Sequence, residues 1–157
     1  MNPPDVSKIL DQWKGAKEVP GGAEAFSRSV AAMAPYSGTI EPQIVDLDPG
    51  LCRIRIEDRP AVRNHLSSIH AAAQMNLAEL SGSLAMLASL PPDARMIVKG
   101  LEIDFLKKAR GTLVSEARCP VPPDNESQEY TAEVEIRDPA GDEVAHARVR
   151  LLVGPVA

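Results

Sequence analysis

Between residues 68 and 89 the chain carries one charged side chain, Glu79, in a run dominated by Ala, Leu, Met, Ser and Gly. Within that run Ile69, Ala73, Leu77, Leu80, Leu84 and Leu87 recur at steps of four, four, three, four and three, the spacing of one face of an α-helix. The other faces are not the charged surface of an ordinary amphipathic helix. They hold Ala71, Ala72, Ala78, Ser81, Gly82, Ser83 and Ala85, small residues that let another backbone come close. A helix of this kind over residues 67–89 must be covered on nearly all sides, and a sheet wrapped around it does that. The same stretch and the residues before it hold Asn64, His65, His70, Gln74, Asn76 and Glu79, polar groups that such a setting buries only at a cost.

Turn chemistry divides the rest of the chain. Asp5 is placed to cap a first short helix, with Val6, Ile9, Leu10 and Trp13 at helical spacing and a stop near Gly15. A second helix carries Phe26, Val30 and Met33 on its apolar face, with Pro35 just past its end. These two helices occupy residues 1–35. Residues 39–58 alternate in polarity on either side of Asp48, Pro49 and Gly50, which predicts a hairpin. After the long helix, residues 94–154 read as four strands in succession, and their short links predict antiparallel neighbours. The expected fold class is α+β, in a single domain over residues 1–157.

Composition excludes several functions. A net charge of -5 gives no basic surface for DNA or RNA, and Trp13, Phe26, Tyr36, Phe105 and Tyr130 are too few to build a base-stacking platform. No apolar run reaches the roughly 18–20 residues of a membrane span, and residues 1–13 lack the order of a signal peptide, so a cytoplasmic location is expected. Cys52 and Cys119 have no CxxC spacing and read as small core hydrophobes. No metal site is expected.

Asn64, His70 and Glu79, spaced by six and then nine residues and followed by the strand end Glu-Ile-Asp-Phe-Leu-Lys-Lys-Ala-Arg-Gly-Thr-Leu of residues 102–113, resemble the hotdog-fold acyl-CoA thioesterases of the phenylacetyl-CoA type. The resemblance covers the chain from about Ile40 onward. It departs where that family has glycines, at Ser67, Ala71 and Ala72. It implies a hotdog fold, an antiparallel sheet wrapped around one long central helix, and hydrolysis of an acyl-CoA or other acyl thioester to free acid and thiol. It also implies a homodimer, or a dimer of dimers, whose central helices lie antiparallel and share their sites. Coenzyme A would enter as part of the substrate, with no separate cofactor.

Helix geometry agrees with sharing. On one continuous helix, nine residues put His70 and Glu79 on opposite faces and about 13 Å apart, so they cannot act as a pair within one chain. By resemblance, Glu79 is general base or nucleophile and Asn64 positions water or substrate. The Ala71 N–H, at the start of the helix, stabilises the oxyanion, and His70 orients the helix start. Ser67 or Ser68 is the expected N-cap, with Ser68 also beside the substrate. Lys107, Lys108 and Arg110 stand where phosphate contacts to coenzyme A are expected, or form only a solvated strand end. Many relatives offer a Ser or Thr at the position aligned near Val98, so that hydroxyl is expected to be missing.

Plainer readings stand beside these. Glu79, Gln74 and Asn76 can be polar groups at an interface, Asn64 can bridge a turn, and His65, His70 and His146 can be structural. Two other functions fit the fold. One is a non-catalytic binder of acyl thioesters. The other is a dehydratase or hydratase using His65 and Glu79, fourteen residues apart, although the Phe-Pro and Pro-Gly pairs around that site in hotdog dehydratases are missing here.

Overall fold

Residues 6–156 are described by the computed structural model; the cap expected at Asp5 lies outside them. A 3-10 turn at Val6–Lys8 leads into α1 (Ile9–Lys17), and α2 (Gly22–Met33) follows. Trp13 of α1 and Phe26 of α2 are both buried, with ring centroids 5.3 Å apart. Contrary to expectation, α1 runs through Gly15. That glycine faces open space, and a mid-helix glycine costs only about 1 kcal/mol, less than the packing of Ile9 and Trp13 returns. Pro35 does end the second helix, and it also starts a short third one, α3 (Pro35–Gly38), that periodicity could not reveal.

The hairpin forms from β1 (Gln43–Asp48) and β2 (Leu51–Ile56). Gly50 turns it with φ +76, and a Cβ there would stand 2.7 Å from the Cys119 carbonyl oxygen, so both conformation and space call for glycine. Cys52, Ile54 and Ile56 point inward at period two and are fully buried. A 3-10 turn at Pro60–Val62 and a tight loop then lead to α4 (Ala71–Leu87).

The long helix begins later than expected, and neither Ser67 nor Ser68 caps it. Residues 63–69 are held as a loop: Arg63 bridges Ile69, Ser67 sits at φ +54, and the His70 N–H donates to the Val62 carbonyl at 2.8 Å. The helix starts once that loop is closed. His70 is its N-cap, and its Nδ1 accepts from the Ala72 N–H at 2.9 Å.

Four strands follow: β3 (Ala94–Phe105), β4 (Leu113–Arg118), β5 (Gln128–Arg137) and β6 (Glu143–Pro155). With the hairpin they make one antiparallel sheet in the order β1-β2-β4-β5-β6-β3. β4, β5 and β6 are neighbours as expected. β3 and β4 are not, although only a short link joins them. That link passes the start of α4, where the Ile69 N–H donates to the Ala109 carbonyl at 2.8 Å, and this tie carries the chain across the sheet instead of into a hairpin.

The concave face of the sheet encloses α4, whose Leu77, Ala78, Ser81, Leu84, Ala85 and Met86 are buried. The small residues have the expected purpose. A Cβ on Gly82 would lie 3.0 Å from Val149 Cγ2 and 3.3 Å from Ala132 Cβ. The Ser81 hydroxyl, donating to the Leu77 carbonyl, also lies 2.5 Å from the Ser115 hydroxyl, so the helix meets β4 through a satisfied polar pair. Ion pairs between strands, such as Arg53 with Glu116 at 2.6 Å, cover the outer face.

The two sheet edges differ. β1 is flanked by α2, whose Ser27 hydroxyl accepts the Ile44 N–H at 2.8 Å. Among the described residues β3 has no strand neighbour on its outer side, and its Ile97 and Phe105 and the following Leu106 are 53%, 47% and 57% exposed. Among the described residues no helix is long and apolar enough to cross a membrane.

Candidate functional site

Two clefts flank the first half of α4, and they share no lining residue. The first, about 270 Å³, is lined by Asn64, Ser68, Ala71 and Gln74 with Phe105, Lys107 and Lys108. The second, about 330 Å³, is lined by Tyr36, Ala72, Met75, Asn76, Glu79 and Leu101. The helix divides them between Ala71 and Ala72. The candidate residues therefore fall into two groups, with Asn64 and Ala71 in one and Glu79 in the other.

In the first cleft the loop holds the polar groups in place. Asp58 accepts from Arg63 Nε at 2.6 Å and from the Gly111 N–H at 2.8 Å. The Arg63 hydrogen bond and then the Gly111 N–H outweigh desolvation and hold the Asp58 carboxyl below the usual carboxylate range. Asn64 Oδ1 accepts from the N–H groups of Leu66 and Ser68 at 2.9 and 3.2 Å. Both partners are donors, so the acceptor of this amide is spent on the turn and Nδ2 is the group left for a ligand. The plainer reading of Asn64, a turn bridge, thus holds for one half of its side chain. Ala71 is the first residue of α4, and its N–H has no partner among the described residues. The hydroxyl of Ser68 and Oε1 of Gln74 are buried without a partner among the described residues.

His70 is exposed, and its bond to Ala72 makes Nδ1 an acceptor, which leaves the proton of the neutral ring on Nε2. This is an orienting role at the helix start. His65 sits on the exposed tip of the same loop and lines neither cleft, so this chain does not bring it to Glu79.

In the second cleft the half-buried Glu79 accepts at Oε1 from the Ser83 hydroxyl, 2.7 Å away. The hydroxyl expected to be missing near Val98 is absent there, and the hydroxyl bonded to Glu79 comes instead from Ser83, one helical turn beyond the carboxylate. Val98 itself lies on the open edge strand beside a bulge. Ser83 was legible from spacing alone, since residues four apart on a helix are neighbours. Asn76 donates from Nδ2 to the Tyr36 carbonyl at 3.2 Å and ties α3 to the wall of this cleft.

The basic residues divide as well. Lys107 places its ammonium 2.8 Å from Asp138 and 2.8 Å from Asp142. The hydrogen bonds to Asp138 and then Asp142 raise it above the ordinary lysine range. It is committed to the β5–β6 turn. Lys108 is exposed with no acidic partner among the described residues, and Arg110 reaches the Leu66 carbonyl at 3.5 Å. Neither cysteine takes part. Burial pushes the Cys52 thiol far up and the Cys119 thiol to about 11, and neither lines these clefts. A roomier cleft of about 450 Å³ between α2 and β1 contains no candidate residue. Among the described residues no three His, Cys, Asp or Glu side chains converge as a metal site would require.

Among solved structures, one known as genomics APC5556 has a TM-score of 0.80 at 26% identity, covering 96% of this chain and 98% of its own. A Pseudomonas aeruginosa protein, PA5026, described as of unknown function and a probable thioesterase, has a TM-score of 0.74 at 24% identity, with 87% and 97% covered. The thioesterase HI1161 of Haemophilus influenzae has a TM-score of 0.71 at 16% identity, with 85% and 91% covered. No functionally curated protein matches the chain. The profile of the domain of unknown function DUF4442 matches residues 22–153, which span α2 through β6, and the chain belongs to that family and has the hotdog fold.

Proposed function

We propose that this protein hydrolyses acyl thioesters, with acyl-CoA as the substrate class, in sites built jointly by two copies of the chain. The carrying observation is the pairing of Glu79 with Ser83 in a cleft separate from the one that holds Asn64 and the free Ala71 N–H. Each chain has both halves of a hydrolytic site and keeps them apart. Two chains related by a two-fold axis bring them together. The exposed apolar edge of β3 supports such pairing, because an open edge with Ile97 and Phe105 exposed is a template for a second strand. The thioesterase names of the Pseudomonas and Haemophilus structures support the reaction class.

In this reading the thioester carbonyl oxygen lies against the Ala71 N–H, where the helix end favours the negative charge that develops on attack. Ser83 occupies Oε1 of Glu79 and leaves Oε2 for the chemistry, as base toward a water or as nucleophile toward the thioester carbon. The Asn64 Nδ2 orients the substrate or the water. The tetrahedral intermediate collapses with the C–S bond breaking; on the base route Glu79 returns the proton taken from water to the leaving thiolate, and on the nucleophile route water hydrolyses the acyl–Glu79 anhydride and supplies the thiol proton. Lys108 at the cleft rim meets the phosphates of coenzyme A, and no separate cofactor is needed. The location that goes with this reading is the cytoplasm.

The test is Glu79→Gln. Turnover of a substrate found by screening acyl-CoA chain lengths should fall by about 10² to 10⁴, the usual effect of losing an acid–base group, while circular dichroism and sedimentation stay unchanged. An unaltered kcat in the folded variant would remove Glu79 from the mechanism.

A further inference from the structure

The edge strand β3 carries a bulge at its middle. Its pairing with β6 is regular from Ala94 to Val98 and again from Gly100 to Phe105, and Lys99 is the extra residue between the two runs. An extra residue shifts the inside–outside alternation of a strand by one. Opposite the buried Val153, Leu151, Val149, Ala147 and Ala145 of β6 stand Met96 and Val98 before the bulge, then Leu101, Ile103 and Phe105 after it. These face the concave side. Arg95 and Ile97 before the bulge, and Glu102 and Asp104 after it, face the convex side.

This shift constrains how a second copy adds to the open edge. A two-fold axis perpendicular to the sheet keeps concave residues concave, so residues opposite each other across two antiparallel copies of β3 must face the same side. Because the alternation reverses at Lys99, the half before the bulge must pair with the half after it, and the axis passes through the bulge. With the axis between Lys99 and Gly100, Ala94 falls opposite the partner's Phe105 and the whole strand is used. Met96 then lies opposite the partner's Ile103, and Val98 opposite the partner's Leu101, all of them apolar.

Charge selects the same register. Elsewhere on the convex face charges are paired, as in Arg53 with Glu116, Arg137 with Glu135, Arg148 with Glu133 and Arg150 with Glu129. Arg95, Lys99 and Asp104 are exposed and have no ion-pair partner among the described residues, and Glu102 meets Arg148 at 3.4 Å. Charges on an edge normally keep other strands away. Here the cations occupy the first half of β3 and the acids the second, so an antiparallel copy meets opposite charge. Arg95 falls opposite the partner's Asp104, and Lys99 diagonal to the partner's Glu102. Sliding the copies by two residues either way breaks the Arg95 match with Asp104 and shortens the ladder.

Taking from the reading above only that the site needs two copies of the chain, we propose that β3 is a self-complementary edge. It adds one further copy, antiparallel, in the register that sets Arg95 opposite the partner's Asp104. The site is incomplete without that copy, so the register decides which residues of the two chains meet.

Two single reversals of exposed residues test this. Arg95→Asp puts acid against acid on both sides of the axis, and Asp104→Arg puts cation against cation. Measured by sedimentation at low salt, the dimer dissociation constant of each should rise about tenfold over wild type, because two attractive cross-strand pairs become repulsive. An equal mixture should recover wild-type affinity as a heterodimer, matched on both sides and identified by its mass. Register is read independently by mixing Ile97→Cys with Glu102→Cys: oxidation should join the two proteins to each other through residues 97 and 102, and neither to itself. A wild-type chain that stays monomeric overturns this proposal together with the shared site. A wild-type dimer whose single reversals associate as tightly as it does, whose mixture gives no excess of heterodimer, or whose 97–102 cross-link fails to form overturns the register alone. A dimer that passes all three supports the register even if it turns over no acyl-CoA, an outcome that overturns only the chemistry of the reading above.

Discussion

The S83A substitution isolates the contact that singles out Glu79. It removes one hydroxyl, 2.7 Å from Oε1, and leaves the carboxylate in place. A hydrogen bond to a charged group contributes about 1.5 to 3 kcal/mol, and the lower end applies because Glu79 is half-buried and partly solvated. If the bond is needed to aim Oε2, about 1.4 kcal/mol of that returns as barrier, which is a tenfold fall in kcat. Stability should fall by no more than about 1 kcal/mol, because alanine is the better helix former by up to about 0.5 kcal/mol and offsets part of the lost bond, and the void left by one oxygen is small. The assay is thiol release at saturating acyl-CoA, with a melting curve on the same preparation. The expected result is kcat reduced about tenfold, KM within about twofold and a melting temperature lowered by no more than about 4 °C, with S83T restoring most of the rate. An S83A protein with full kcat would refute the positioning argument, and a loss well beyond about 4 °C would show that Ser83 acts on the fold instead.

Lys107 and Lys108 should behave differently despite being adjacent. Lys108→Ala should raise KM, flatten the salt dependence and spare kcat, as loss of uniform binding does, whereas Lys107→Ala should lower the melting temperature through the freed Asp138 and Asp142 and leave KM alone; equal KM effects from the two would contradict their separation. On the outer face, hydrogen bonds to Glu133 and then Glu143 raise His146 above the ordinary histidine range. Its stabilisation is therefore fully present below that range and is lost as pH rises through the elevated value, so melting temperatures should decline over that alkaline flank and His146→Ala should abolish the decline. A wild-type curve flat across neutral pH would contradict this.

The part of the fold that could be read from the sequence is the part governed by periodicity. The uncharged faces of residues 68–89 required a covered helix, and Gly82 against Val149 and Ala132 shows how close the cover comes. The alternation of β2 and the turn at Gly50 likewise carried their own evidence. Strand order was less accessible. A short link between β3 and β4 normally means adjacency, and only the bond from Ile69 to Ala109, between segments forty residues apart, explains why it does not here. The helix cap was misplaced for a related reason: the loop closed by Arg63 and Ile69 competes with helix for residues 67–69, and no local propensity records that bridge. At the candidate site, counting helical residues separated His70 from Glu79, but it does not divide Ala71 from Glu79, which are eight residues and only about 80° apart around α4; that division is seen in the two clefts. The Ser83 partner of Glu79 was not singled out, although the i, i+4 rule already made the two neighbours. Lys107 looked like a phosphate ligand because its aspartates lie in the turn after β5, some thirty residues away in sequence.

The shared site is open to one direct measurement. Asn64→Ala disables the first half of the site and Glu79→Ala the second, and each protein alone should be inactive. Unfolded together in equal amounts and refolded, they should pair at random, and half of the dimers should be mixed. A mixed dimer carries one site with both lesions and one with neither, so activity should return to roughly a quarter of the wild-type value. If each site were formed within a single chain, every site in the mixture would contain a lesion. Mixed dimers confirmed by mass spectrometry with no recovery of activity would contradict the account.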